Sequence, residues 1–436
     1  MFAGKSRAHQ ERVKDIGDKS ILKMAALFGA NASGKSNFIK ALSFMDETVE
    51  NGHLQPNNSR QYCRIDATNK VKKSYFEVVL LLDGSYYSYG FEAVLNLGHF
   101  TSEWLMELDG KGKETILFTR NLETGKTQFS PNFQKASKER LQVYADDMKA
   151  NADALFLTAM NTNKVSLYKD FENLRIFKKI YEWFLHGFLA SEAGAPVTSG
   201  PHYLIEEKLK QVSALLQHFD TDVTKIDSEY INFSDLSTDG LSGFLKRELA
   251  FFEEKAKKML AVDKSAQGFA TLLRTNNEFL CLSIEVGDEN PKLKKVFFRH
   301  SAGEVFNLSE ESDGTIRIMD LAEILLTEEE KVFVVDELDR CLHPQLSYEF
   351  IRLFLEQAAK YDIQLIFTTH ESYLMDFDLL RRDEIWFTEK KEGISHLYSL
   401  EEFNERIDRK IDKAYLEGRY GGVPLFSTLF PMGKLK

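Results

Sequence analysis

Cysteine is rare in this chain of 436 residues, positive charge is in deficit, and long apolar runs are missing. The three cysteines, Cys63, Cys281 and Cys341, show neither metal-ligand nor CxxC spacing, so we expect a reduced, cytoplasmic protein. The formal net charge of −11 argues against a broadly basic sleeve for nucleic acid, although a local basic groove would still fit. No apolar run reaches the ~18–20 residues of a membrane helix, so no membrane span is expected.

Hydrophobicity patterns divide the chain into three segments. Strand-like runs dominate residues 1–128, which include a meander with a hairpin turn at Asp83-Gly84. Within residues 129–275, apolar residues recur at helical spacing over 137–149, 171–189, 203–218 and 241–260. No heptad pattern is sustained, which predicts a helical insertion that lacks coiled-coil arms. Strands and helices alternate again over 276–436. The expected fold is therefore an α/β head, split in sequence by the helical insertion and carrying an antiparallel β meander.

The clearest chemical signal is a glycine-rich string that fits G-x-x-x-x-G-K-[ST] between a predicted strand over 21–28 and a predicted helix over 34–45. Backbone N–H groups of such a loop cradle phosphates, its lysine reaches the β- and γ-phosphates, and its serine hydroxyl binds Mg²⁺. Serine 36 is thus also a candidate metal ligand. The candidate nucleotide-binding residues are Gly29, Asn31, Ser33, Gly34, Lys35, Ser36 and Asn37.

Two further predicted strands end in side chains suited to phosphate chemistry. The apolar run over 332–335 ends in Asp336, a candidate Mg²⁺ ligand, and Glu337, a candidate general base that would polarise the attacking water. The run over 363–369 ends in His370, which would contact the γ-phosphate. Ligands of open α/β sheets bind at the carboxyl ends of the strands, which favours a shared site.

The segment Ser312-Asp313-Gly314-Thr315 precedes a helical pattern over 316–326. A serine and a glycine at a helix N-terminus make a candidate second anion site. Taken without its context, the segment is better interpreted as a plain helix N-cap.

The ordered set of motifs resembles the ABC ATPase heads of SMC, RecF and OLD-type proteins. It resembles still more closely the RloA/AbiLi-like ATPases of bacterial abortive-infection and restriction-linked defence loci, over nearly the whole chain. The resemblance is carried by six stretches: Gly29–Asn37, Glu311–Thr315, Asp336–Pro344, Thr368–Glu371, Arg381–Lys390 and Tyr415–Pro424.

The resemblance implies an ATPase that forms a homodimer or higher oligomer through shared ATP sites. Ser312 and Gly314 of one chain would then contact ATP held by the P-loop of another. It also implies a sensor or regulator of an antiphage system, with a Toprim-like or RloB-like effector nuclease as its partner and a phage protein as a candidate trigger. DNA binding is left open.

The sequence departs from the family pattern at several positions. Asp313 places a carboxylate where ABC signatures carry glycine, and His343-Pro344 replaces the usual Leu-Asp end of the D-loop. Gln61 is only a weak candidate for the Q-loop residue. The strand with which relatives begin has no counterpart, so either the native start lies upstream or that strand is lacking.

A RecF-like DNA-repair or chromosome-maintenance ATPase is the main alternative, and it predicts DNA-stimulated turnover with a steep salt dependence. A self-contained OLD-type nuclease is disfavoured, because too few residues follow His370 for a Toprim domain of ~100 residues. A scaffold that hydrolyses ATP very slowly is also compatible with the motifs. A GTPase is disfavoured because the guanine motif Asn-Lys-x-Asp does not occur.

Overall fold

A computed structural model of the chain divides it into two compact units. The first comprises Met1–Ala193, Glu330–Glu337 and Asp362–Lys436, and the second comprises Gly194–Glu329 and Leu338–Tyr361. The structure describes residues 1–4, 6, 8–16, 19–109, 113–149, 151–164, 166–195, 197, 206–232, 252–253, 256, 268–274, 279–288, 290–403 and 410–423.

The described strands and helices are as follows. The strands are β1 (Val13–Ile16), β2 (Lys19–Leu22), β3 (Met24–Phe28), β4 (Ser74–Leu82), β5 (Ser85–Val94), β6 (His99–Leu108), β7 (Glu114–Asn121), β8 (Lys126–Phe129), β9 (Phe188–Ser191), β10 (Val223–Tyr230), β11 (Gly268–Arg274), β12 (Phe279–Glu285), β13 (Lys292–His300), β14 (Val305–Phe306), β15 (Lys331–Val335), β16 (Ile363–Thr368), β17 (Ile385–Lys391) and β18 (Ile394–Ser399). The helices are α1 (Lys35–Asn51), α2 (Lys135–Asp147), α3 (Phe156–Asn161), α4 (Leu167–Asp170), α5 (Arg175–Glu182), α6 (Glu206–His218), α7 (Asp313–Leu326), α8 (Pro344–Ala358) and α9 (Ile411–Leu416).

The first unit is built around a six-stranded sheet of order β18-β17-β3-β16-β15-β9. All neighbouring pairs are parallel except β17 and β18. All five residues of β3 are buried, as expected of a strand that is covered on both faces. The carboxyl ends of β3, β15 and β16 therefore meet at one edge of the sheet, and the loops that follow them carry the candidate site.

An antiparallel meander of order β4-β5-β6-β7-β8 completes the first unit. Its first hairpin turns at Asp83 and Gly84, whose φ values of 52° and 80° fit a two-residue turn of the type that matches strand twist. Farther along, the buried Glu103 carboxylate accepts the backbone N–H groups of Phe156 at 2.6 Å and Leu157 at 2.9 Å. This carboxylate fixes the start of α3 against the meander.

The fully buried Arg381 ties the N-terminal segment to the loop before β17. Its guanidinium pairs with Asp383 at 2.9 and 2.7 Å and also donates to the carbonyls of Ser6 and Ala8. The start of the Arg381–Lys390 stretch is thus explained by structure.

The second unit contains a sheet of order β10-β13-β12-β11, with β14 paired to β13. Leu280, Leu282 and Leu293 form its buried side together with Phe252. Helix α7 packs with α6 and α8 in the same unit. Within the described part of the chain, every helix is too short or too polar to span a lipid bilayer.

The predicted α/β class is confirmed, and the sheet takes strands from both ends of the chain. The strand predicted over 21–28 is instead two strands, β2 and β3, which belong to different sheets. The helical pattern over 171–189 stops short of its predicted end, where β9 begins. The insertion predicted over 129–275 contains α2–α6, but also β9, β10 and β11; its boundaries stay predictions. The helical pattern over 241–260 lies almost wholly outside the described residues.

Candidate nucleotide-binding site

The glycine-rich loop lies between β3 and α1, as the sequence predicts. Gly34 caps α1 with a φ of 115°, and a Cβ at that position would lie 2.2 Å from Ser395 Oγ. A Cβ at Gly29 would lie 2.3 Å from Thr388 Oγ1. Both glycines are therefore required by close approach, and Gly34 also by its left-handed backbone conformation.

Lys35 lies over the loop that it belongs to. Its Nζ donates to Gly29 O at 2.6 Å and to Ala30 O at 3.3 Å, and the side chain is buried. The ammonium is thus placed above the cradle in which phosphates would bind. Beside it, Ser36 is half-buried on the first turn of α1, while Asn31 and Asn37 are exposed.

A hydroxyl of β17 pins the loop from the side. Ser33 Oγ lies 2.6 Å from Thr388 Oγ1, which in turn lies 3.3 Å from Phe28 O. Thr388 can donate to the Phe28 carbonyl while it accepts from Ser33. This pair links the loop to the strand beside β3.

The loop after α9 lies against the same face. Gly422 approaches Gly29 so closely that a Cβ on Gly422 would be 3.7 Å from Gly29 Cα. Tyr415 donates its hydroxyl hydrogen to Gly422 O at 3.0 Å, and Tyr398 donates to Tyr420 O at 2.7 Å. The described part of the Tyr415–Pro424 stretch therefore buttresses the P-loop.

Asp336 and Glu337 follow β15 and are held by one threonine of β16. Thr368 Oγ1 donates to Asp336 Oδ1 at 2.5 Å and accepts the Glu337 backbone N–H at 2.8 Å. Asp336 is 2% exposed, and Glu337 has a φ of 49°, a left-handed conformation that costs about 1 kcal/mol for a residue with a Cβ. Strain of this kind is concentrated at functional sites, where surrounding bonds hold it.

His370 is exposed at the end of β16, two residues after Thr368. The neighbouring Thr369 donates its N–H to Leu27 O at 3.1 Å, which joins this end of β16 to β3. Strand β16 lies between β3 and β15, and neighbouring strands are about 4.8 Å apart. The P-loop follows β3, His370 follows β16 and Asp336 follows β15, so all three lie at one edge of the sheet. The structure therefore brings these sequence-predicted residues to a common edge.

The Ser312 segment belongs to the second unit and caps α7. Ser312 Oγ accepts the Thr315 N–H at 3.1 Å and lies 2.8 Å from Thr315 Oγ1. Ser312 and Asp313 are exposed, and a Cβ on Gly314 would lie 3.2 Å from Cys341 O. The geometry is that of an N-capped helix that exposes Ser312 and Asp313 but buries Thr315.

His343 proves to be a helix cap. Its Nδ1 accepts the Gln345 N–H at 3.3 Å at the start of α8, and Pro344 opens that helix. This accounts for the His-Pro pair at the end of the loop. Gln61 is exposed at the end of a short 3₁₀ turn, where the structure gives it no link to the P-loop.

Mg²⁺ fits the donor set at the sheet edge. Ser36 offers a hydroxyl and Asp336 a carboxylate, the hard oxygen ligands that Mg²⁺ prefers beside water and phosphate oxygens. Among the described residues there is no cluster of three or more His, Cys, Asp or Glu side chains suited to a metal. The metal would therefore be shared between the chain and a bound nucleotide rather than caged by protein alone.

Thr368, Thr388 and Gly422 were not predicted as site residues. All three lie inside stretches that carry the family resemblance, which was the only signal available for them. Their contacts with the P-loop and with Asp336 join residues far apart in sequence, 32 positions in the case of Thr368 and Asp336, so local patterns could not reveal them.

Comparison with protein families gives one match. The model described as "AAA domain, putative AbiEii toxin, Type IV TA system" matches residues 24–143 and 192–376, well over half of the chain. No curated protein matches the chain in sequence.

Three solved structures of SMC heads are similar to the chain at low identity. One is an SMC head bound to the C-terminal winged-helix domain of ScpA, with 15% identity, 87% of this chain and 91% of that chain covered, and a TM-score of 0.37. The second, from Pyrococcus furiosus, has an extended coiled coil and is bound to the C-terminal domain of ScpA. It is 16% identical, with 89% of this chain and 94% of that chain covered and a TM-score of 0.35. The SMC head from Thermotoga maritima is 15% identical, with 89% of this chain and 95% of that chain covered and a TM-score of 0.33. With TM-scores below 0.5, these matches say nothing about what the chain binds.

Proposed function

The chain belongs to this AAA-domain family, and we propose from that premise that it binds ATP with Mg²⁺ and hydrolyses it. The observation that carries the proposal is the double role of Thr368, which fixes the Asp336 carboxylate and the Glu337 backbone at once. A strand that ends in a merely structural acid would not need the strained Glu337 conformation beside it.

Each residue of the site has a separate task in this proposal. Lys35 leaves the Gly29 and Ala30 carbonyls to bind the β- and γ-phosphates, beside the N–H groups at the start of α1. Glu337 takes a proton from the attacking water, and His370 orients that water at the γ-phosphate. Magnesium, when bound through Ser36 and Asp336, would neutralise charge on the phosphate oxygens.

We further propose that two copies pair around ATP, with Ser312 and Gly314 of one copy contacting the nucleotide of the other. The start of α7 supports this, because Ser312 is exposed there and a helix N-terminus favours anions. Asp313 opposes it electrostatically, so assembly should need the full charge compensation of Mg²⁺ and Lys35.

The output of the ATPase is proposed to be control of a separate effector nuclease in an antiphage system. This proposed regulatory role rests on the resemblance to abortive-infection ATPases. It is supported by the family that matches the chain, which is described as including a putative toxin of a toxin–antitoxin system. A phage protein would be the trigger, and ATP turnover would reset the complex.

Turnover and assembly are tested together on the whole chain. Glu337→Gln should lower single-turnover hydrolysis by ~10²–10⁴-fold, the usual contribution of a general base, and mass photometry should show an ATP-trapped oligomer. Lys35→Ala should abolish the nucleotide-induced rise in melting temperature. Unchanged hydrolysis in Glu337→Gln would remove the general-base assignment of Glu337, and no hydrolysis by the wild type would remove the ATPase assignment.

The regulatory role is tested by purifying tagged chain from its native host with and without ATP. We expect a nuclease to co-purify in an ATP-dependent manner. Strong stimulation of turnover by added DNA, with a steep salt dependence and no protein partner, would favour the RecF-like alternative instead.

A further inference from the structure

A histidine held by two carboxylates lies directly beside the Ser312 turn. His300 closes β13, and its Nε2 lies 2.7 Å from Glu311 Oε1 while its Nδ1 lies 3.3 Å from Asp222 Oδ2. Phe306 covers the imidazole, with the ring centroids 4.3 Å apart. These residues all belong to the second unit, so the arrangement is internal to one compact body.

The imidazolium form of His300 fits this geometry best. An ionised carboxylate only accepts hydrogen bonds, and both ring nitrogens of His300 face one. A neutral imidazole has a single N–H and can satisfy only one carboxylate, whereas the imidazolium satisfies both. The Glu311 side chain is 2% exposed, so loss of its cationic partner would leave a buried carboxylate uncompensated.

The other charged side chains near His300 are engaged elsewhere or exposed. Arg299, its neighbour on β13, donates to Asp227, and Glu304 meets His300 through backbone atoms at the turn before β14. In the described residues, the charges that face the ring are therefore those of Glu311 and Asp222. Burial disfavours the charged ring, but its hydrogen bonds to these two carboxylates raise the pKa of His300 above its ordinary value.

We propose that His300 is a positioning residue whose imidazolium holds Glu311, and through it the Ser312–Gly314 turn, in the geometry that engages ATP on a second copy. Glu311 directly precedes Ser312, and their Cα atoms are about 3.8 Å apart, so a shift of one displaces the other. The inference rests on the proposed role of Ser312 and Gly314 in trans.

The sign of the pH dependence follows from the charge. We call the contacts of His300 with Glu311 and Asp222 the clasp. His300 is protonated below its raised pKa, so the clasp is complete at low pH. As pH rises through that pKa, the proton leaves, the buried Glu311 carboxylate loses its compensating charge, and the neutral ring can donate to only one of the two carboxylates. The turn is then held less tightly. ATP-dependent assembly should weaken in the same pH window.

The clasp is tested first without nucleotide, by hydrogen exchange of amides 311–316 in the full chain from pH 6 to 9. After correction for intrinsic exchange, protection in the wild type should fall roughly tenfold, the order expected when a charge-assisted hydrogen bond becomes a neutral one, while α8 amides stay unchanged. Asp222→Asn should move the transition to lower pH. Glu311→Gln should abolish the transition, because an amide can pair with either form of the imidazole. Protection of the wild type that does not vary with pH overturns the inference.

Assembly is then followed by mass photometry with the imido analogue of ATP and Mg²⁺ over the same range. The wild type should lose oligomer above the transition, and Glu311→Gln should keep it. Nucleotide-induced thermal stabilisation, which reports the P-loop, should be equal in both.

The outcomes separate the inference from the proposed function. If exchange shows the transition but no oligomer forms at any pH, ATP-driven pairing is wrong and the clasp stands. If oligomer persists where the turn has loosened, the positioning role of His300 is wrong.

Discussion

Thr368 and Asp336 are joined by a buried hydrogen bond of 2.5 Å from the threonine hydroxyl to the carboxylate. The same hydroxyl accepts the Glu337 backbone N–H, so one side chain fixes both the proposed magnesium ligand and the proposed general base. Two strands that are neighbours in the sheet thereby set the geometry of the proposed reaction centre.

Replacing this hydroxyl should lower turnover as well as stability. Thr368→Val keeps the shape of the side chain but leaves Asp336 Oδ1 without its buried donor, which costs about 1–3 kcal/mol. We expect ATP turnover to fall roughly 10–100-fold, since a loss of 1.4 kcal/mol in transition-state stabilisation is tenfold in rate. Steady-state hydrolysis and urea unfolding measure the two effects.

Thr369→Val is the matched control, because Thr369 is also fully buried but its hydroxyl accepts only from the Glu371 N–H among the bonds described for it. It should lose comparable stability and retain turnover. Equal turnover in the two variants would show that Thr368 is structural only.

The contact between Ser33 and Thr388, which pins the P-loop to β17, can be measured as a coupling energy between the two residues. Ser33→Ala and Thr388→Val each remove one side of the 2.6 Å contact. Each change should weaken ATP affinity by roughly 3–10-fold, corresponding to about 1 kcal/mol for a hydrogen bond. The double variant should be little worse than either single one, giving a coupling energy of about 0.5–1 kcal/mol. Calorimetric titration measures all four affinities, and strict additivity would show that the pin does not operate.

The loop after α9 provides a prediction about backbone strain. Gly421 has a φ of +69°, and a Cβ there would lie 2.6 Å from Tyr398 OH, the donor to Tyr420 O. Gly421→Ala should therefore lose both the left-handed conformation and this hydrogen bond, about 2–4 kcal/mol in total. Gly84→Ala is the control, because its φ is +80° but no atom lies within 4 Å of the added Cβ. It should lose only about 1 kcal/mol in chemical denaturation; equal losses would contradict the crowding argument.

The residues with a proposed chemical role were easier to predict from the sequence than the residues that hold them in place. The P-loop and the Asp336 strand are local patterns, in which the turn, the helix start and the buried strand are consecutive in sequence. Thr388 and Gly422 act on the P-loop through long-range contacts, and no local pattern encodes those.

Two predictions about strands were wrong for the same reason: the helical pattern over 171–189, which ends in β9, and the single strand over 21–28. In both, pairing with other strands decides the structure. β9 reads as the end of a helical pattern, and only its pairing with β15 makes it a strand. Ile21 and Leu22 of β2 are apolar and lead through Lys23 into β3, so the two strands read as one, and only their different partners separate them.

Asp46 on α1 supplies a pH-dependent prediction. Burial, with a smaller contribution from Glu50 and then Glu47, raises its pKa to about 8, and its Oδ1 has no hydrogen-bond partner. Since the folded state holds a proton that the unfolded chain releases near pH 4, the native state is penalised increasingly as pH rises from about 4 to about 8. The penalty is absent at low pH and complete above pH 8.

Asp46→Asn removes this penalty and should stabilise the protein in alkaline solution. The gain in unfolding free energy should be near zero at pH 4, grow with pH, and level off at about 2–4 kcal/mol above pH 8, below the full value of the shift because the site relaxes and admits water. Urea unfolding of both proteins from pH 4 to 9 gives the curve. Asp147→Asn, at an exposed position on α2, should show no such trend. A gain that is constant with pH would mean that packing, rather than the charge of Asp46, limits stability at this position.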